Sequence, residues 1–98
     1  MQTGLYLVER YLPGATDDDV AIAADRVATA SERMTGEGIP VRYLGTTFIA
    51  ADETCFCEFE APTRETVEWA NERANVPFAR ILPAARFPTP ETARRRTP

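Results

Sequence analysis

The stretch ETCFCEFEAP, residues 53–62, gathers the side chains of this sequence best suited to chemistry. Cys55 and Cys57 are its only cysteines, and Glu53, Glu58 and Glu60 surround them. Thiolates can hold a soft metal or form a redox pair. Neighbouring carboxylates can hold a hard cation, or do acid–base work when one of them keeps its proton.

Strand geometry sorts these options. Side chains alternate along a strand, so Cys55, Cys57 and Phe59 share one face, while Phe56, Glu58 and Glu60 share the other. The first set is wholly apolar, because a free cysteine behaves as a small hydrophobe. It belongs under covering helices, where apolar surroundings raise a thiol's pKa and leave it inert. The β-carbons of the two cysteines should lie roughly 6–7 Å apart. A disulfide needs about 4 Å. A structural zinc site wants four thiolate or imidazole ligands, and this chain has two thiols and no histidine. Core packing is the expected role of the cysteines. Glu58 and Glu60 fall on the open side. There they form a solvated rim, or they line a pocket in which Glu9 or Arg10 of the first strand helps them hold a cation or a polar ligand.

Absences narrow the chemistry further. Without histidine there is no imidazole acid or base in this chain. Ser31 is the sole serine and sits in a helical stretch, so a hydrolase triad lacks material. The glycines at 4, 14, 36, 38 and 45 fit no phosphate-binding loop or dinucleotide fingerprint. The net charge of −4 argues against nucleic acid and against an anionic membrane surface as partners. No apolar run approaches the roughly 20 residues of a membrane span. The opening residues, MQTGLYLVERYLPG, lack a basic leader with a long apolar core, so no signal peptide is expected. Two cysteines make no disulfide framework, and a reducing cytoplasm is the expected location.

The elements that must position these residues follow from local signals. LYLVERYL (5–12) is rich in β-formers and ends at Pro13–Gly14. Thr16 is a good N-cap, and Asp17, Asp18 and Asp19 suit the positive end of a helix dipole. Val20, Ala23, Ala24, Val27, Ser31 and Met34 make one helical stripe, which should stop near Gly36 and Gly38. VRYLGTTFIA (41–50) and TCFCEFEA (54–61) read as a hairpin. Thr63 caps a second helix with Val67, Ala70, Asn71 and Ala74 as its buried stripe; Asn75 can end it in a left-handed conformation. RILPAARF (80–87) reads as a last strand, and Pro83 confines it to an edge. The order β-α-β-β-α-β predicts a ferredoxin-like α+β sandwich, a four-stranded antiparallel sheet with both helices on one face. The domain should span residues 1–87. Residues 88–98, with three prolines and Arg94, Arg95 and Arg96, read as a solvated, disordered tail.

Two helices cover one sheet face, yet the strands are apolar in both registers. Leu5 and Leu7 oppose Tyr6 and Val8; Ile81 and Ala85 oppose Leu82 and Ala84. Val41 and Tyr43 are assigned to one face of the second strand, and Leu44 and Phe48 to the other. A face of this kind needs a second cover, and a homodimer packed through the sheet face is the simplest one. Trp69 falls off the buried stripe of its helix and is free to touch the tail, a partner or Arg73.

LYLVERYLPGAT (5–16), DETCFCEFEAPTRETV (52–67) and ANERANVPFARI (70–81) together resemble a small bacterial domain-of-unknown-function family, the nickel-binding-protein-like family. The similarity runs over most of residues 4–86, in order and with similar spacing. It implies a ferredoxin-like fold and homodimers, and, for some members, nickel binding, so that nickel or another divalent metal is the candidate cofactor. Metal-binding members are expected to use histidines, so the matching positions left for a metal here are Glu9, Cys57 and Glu60. Asn75, Ala79 and Glu58 stand where the family favours glycine, an acidic residue and an apolar residue. The expected function is a small dimeric binding protein that holds a divalent metal or small ligand near the sheet, with Glu9, Arg10, Glu58 and Glu60 as ligand-binding candidates. The rival readings are a small enzyme using pocket carboxylates and a protein-interaction module without ligand.

Overall fold

Both helices start where threonine offers an oxygen to a free backbone N–H. In the computed structural model, which describes residues 2–91, helix α1 spans Asp17–Gly36 and helix α2 spans Arg64–Ala74. Thr16 accepts from the Asp19 N–H (3.2 Å), and the Asp19 carboxylate accepts from the Thr16 N–H (2.9 Å), a reciprocal capping box. Thr63 accepts from the Thr66 N–H at 3.2 Å. Asn75 ends α2 at φ 57°, ψ 43°, the left-handed geometry its short polar side chain tolerates.

Strands β1 (Gly4–Tyr11), β2 (Arg42–Ile49), β3 (Thr54–Ala61) and β4 (Arg80–Ala84) form one antiparallel sheet in the order β2-β3-β1-β4. This is the expected ferredoxin-like α+β arrangement. Strand β4 lies at the edge, where Pro83 forfeits no central ladder bond. It stops at Ala84 rather than continuing to 87, because Ala84 already faces Leu5 and β1 begins only at Gly4. Residues 92–98, including Arg94, Arg95 and Arg96, lie outside the described residues.

The core lies between the sheet and the helices. Val8, Cys57, Phe59 and Ala61 of the central strands meet Val27 and Met34 of α1 and Val67 and Ala70 of α2. Strand β3 alternates without exception, with Cys55, Cys57, Phe59 and Ala61 buried. Strand β2 departs from simple alternation. Its pairing with β3 slips between Tyr43 and Gly45, where Gly45 adopts φ +140°. That bulge places Tyr43, opposite Phe59, and Phe48, opposite Cys55, on the same face, under the helices. Period-two counting alone separates them.

Candidate functional site

The hydrogen-bonded register stacks the open face into cross-strand rows. Arg42, Glu60, Leu5 and Ala84 form the first; Gly45, Glu58, Leu7 and Leu82 the second; Thr47, Phe56, Glu9 and Arg80 the third. Ile49, Thr54 and Tyr11 close the far end. Leu5, Leu7, Leu44, Phe56 and Leu82 are only half-buried, so an apolar band runs through this face. Ile49 and Tyr11 are more open still.

Three carboxylates cross the band, and each has a guanidinium. Glu60 pairs with Arg42 at 3.5 Å, Glu9 with Arg80, and Glu58 with Arg86 from the segment beyond β4. Pairs this accessible contribute only about 0–1 kcal/mol each, so they can exchange partners readily. Glu58 and Glu60 stand roughly 7 Å apart along β3, and Glu9 is a diagonal neighbour of Glu58 at about 7–8 Å. Glu9 and Glu60 are four residues apart along the sheet, roughly 13 Å. The arginines were not singled out by sequence. No local spacing announces them, because Glu9 and Arg80 are separated by 71 positions in the chain.

Arg10 is not part of this face. Alternation from Val8 carries it beneath the sheet, where it is only 1% exposed. Its guanidinium donates to Asn71 Oδ1, to the Pro77 carbonyl at 3.2 Å and to the Val76 carbonyl at 3.4 Å. It thus closes the C-terminal end of α2, where a cation complements the helix dipole, and it does not share a face with Glu9, Glu58 and Glu60. The available signal was Asn71 in the buried stripe of α2, since a buried amide demands a partner.

Cys57 also sits on the opposite face from Glu9 and Glu60, so one chain does not bring these three together. Its sulfur lies 3.1 Å from Thr46 Oγ1, which in turn bonds the Tyr43 hydroxyl. Both cysteines are buried free thiols. Burial pushes the Cys55 thiol up, reinforced by Cys57 and partly opposed by Arg10. Burial likewise raises the Tyr43 phenol, against the lowering effect of its Thr46 bond. The third glutamate of the opening stretch is structural: Glu53 accepts from the Gly14 N–H at 2.6 Å, and its carbonyl accepts from Leu12 at 2.8 Å. It ties the β2–β3 turn to the β1–α1 loop.

Nickel favours imidazole donors, and the donors of a single chain do not fit it. Histidine is absent, the thiol is on the wrong face, and the carboxylates are spread out and ion-paired. Among the described residues no three His, Cys, Asp or Glu side chains converge as metal ligands. No described helix is long and apolar enough to cross a membrane.

A family model described as "Nickel responsive protein SCO4226-like" matches residues 6–83. The crystal structure of SCO4226 from Streptomyces coelicolor A3(2) superposes with a TM-score of 0.73 at 19% identity, covering 86% of this chain and 99% of that one. At that identity the likeness concerns the fold. No curated protein matches.

Proposed function

The chain belongs to the SCO4226-like family of nickel responsive proteins, and from that premise we propose that it is a small dimeric binding protein rather than an enzyme. The observation that carries this reading is the half-buried apolar band on the open sheet face, crossed by Glu9, Glu58 and Glu60. Three strands of eight residues and one of five, spaced about 4.8 Å apart, give a face of about 450 Å² in projection. A second copy packed on this face shares the band through a two-fold axis.

The ligand sits in the seam. Carboxylates from both copies then gather where one chain supplies too few, and a divalent cation replaces the guanidinium partners. All-carboxylate donors favour harder dications over nickel, so nickel binding is expected to be weak beside that of a histidine site. A binding role is further supported by the company these carboxylates keep: each faces a guanidinium, which does not exchange protons near neutral pH. Two free thiols support a reducing cytoplasm as its location.

Sedimentation equilibrium at micromolar concentration tests the dimer; a monomer there refutes it. Calorimetry with manganese, nickel, cobalt and zinc tests the cation, comparing the parent with Glu58→Gln/Glu60→Gln. Equal heats and affinities for both proteins refute the carboxylate site.

A further inference from the structure

One groove lies away from the middle of the sheet face. It runs between the C-terminal half of α1 and the edge strand β2, with a volume of about 550 Å³, and it reaches Glu60. That volume is within the range of small-molecule sites. We propose that this groove binds a small organic ammonium ion with an apolar body, such as an arylalkylamine.

The floor selects the apolar body. Ala28, Val41 and Tyr43 line it, and the hydroxyls of Ser31, Thr35 and Tyr43 are already engaged, leaving Thr3 at the exposed margin. Ser31 donates to the Val27 carbonyl at 2.7 Å, and Thr35 both donates to the Val41 carbonyl (2.8 Å) and accepts from the Val41 N–H (3.2 Å). The Tyr43 hydroxyl is bonded to Thr46. A ligand therefore meets carbon surface below, and polar recognition falls to the charged rim of Glu32, Glu60 and Arg42. Two carboxylates against one guanidinium leave a net negative rim, which complements a cation. Arg42 already faces Glu60 at 3.5 Å, with its side chain 77% exposed. Glu32 has no ion-pair partner among the described residues. An ammonium at the rim can meet Glu32 directly and share Glu60 with Arg42, while its ring or chain covers Val41 and Tyr43.

This site is separate from the sheet-face seam, and only the Arg42–Glu60 pair borders both. Glu32 belongs to the groove only and Glu58 to the open face only, so substituting them distinguishes the two proposals. The test is a titration of the full chain with phenethylamine, followed by backbone amide NMR, beside 2-phenylethanol and 3-phenylpropionate as neutral and anionic analogues. Saturable shifts at Ala28, Thr35, Val41 and Tyr43 are expected with the amine. Glu32→Gln should weaken that binding about five-fold, the scale of one partly exposed ion pair, and leave Glu58→Gln as a control with unchanged amine affinity. Matching affinity for the alcohol or the carboxylate overturns the proposal, as does unchanged binding in Glu32→Gln. Absence of saturable shifts at millimolar amine overturns it too, whatever the outcome of the metal titrations.

Discussion

Replacing Asn71 by leucine should expose how the protein carries a buried arginine with no carboxylate beside it. Arg10 has three neutral acceptors, namely Asn71 Oδ1 and the carbonyls of Val76 and Pro77. Leucine keeps the volume but removes one acceptor from the charge, at about 1.5–3 kcal/mol for a hydrogen bond to an ionised group. It also removes the Asn71 Nδ2 bond to the Val67 carbonyl, 2.7 Å long, at about 0.5–1.5 kcal/mol. The sum is roughly 2–4.5 kcal/mol, a large share of the 5–15 kcal/mol that holds a domain together. Arg10→Met costs about 2–3 kcal/mol by leaving the same acceptors without a donor. The double variant Arg10→Met/Asn71→Leu removes charge and amide together, so it should be more stable than additivity predicts by about 1.5–3 kcal/mol. Urea unfolding of all four proteins at one fixed protomer concentration measures this coupling, because association would otherwise shift each midpoint. Additivity within about 0.5 kcal/mol would refute the reasoning: the guanidinium would then not depend on Asn71.

Three further outcomes can be checked more simply. Gly45→Val puts a β-branched side chain at φ +140° and should cost more than about 1 kcal/mol, read as a lower urea midpoint; an unchanged midpoint contradicts the bulge. Cys55 and Cys57 are buried, so a thiol reagent at neutral pH should modify both only as fast as the protein unfolds, and burst labelling of the native chain would be inconsistent with their placement. The Arg73 guanidinium, bonded to Glu37 at 2.9 and 3.0 Å, holds that carboxyl below its ordinary 4.5. A carboxyl depressed on folding stabilises above its unfolded pKa and loses that contribution as pH falls through its folded one. The stability gap between the parent and Glu37→Gln should therefore close on acidification below about pH 4.5; a gap that persists at pH 2 argues against the pair.

The sequence by itself determined the elements and their order. The threonine caps, the left-handed Asn75 and the apolar stripes are decided within a few residues, since a cap or a helical turn needs only its own neighbours. The inward orientation of Cys55, Cys57 and Phe59 was equally legible, because alternation along an unbroken strand is fixed by the pleat. Strand β2 was not, because the bulge at Gly45 arises from pairing with β3 and turns Phe48 to the face of Tyr43. Arg10 adjoins Glu9 in the chain, yet the two lie on opposite faces. What makes Arg10 tolerable in the core is an amide 61 residues away. Each open-face glutamate likewise meets an arginine supplied by another strand or by the segment past β4. Those pairings form only once the sheet register is set, so tertiary structure alone decided which guanidinium each carboxylate meets.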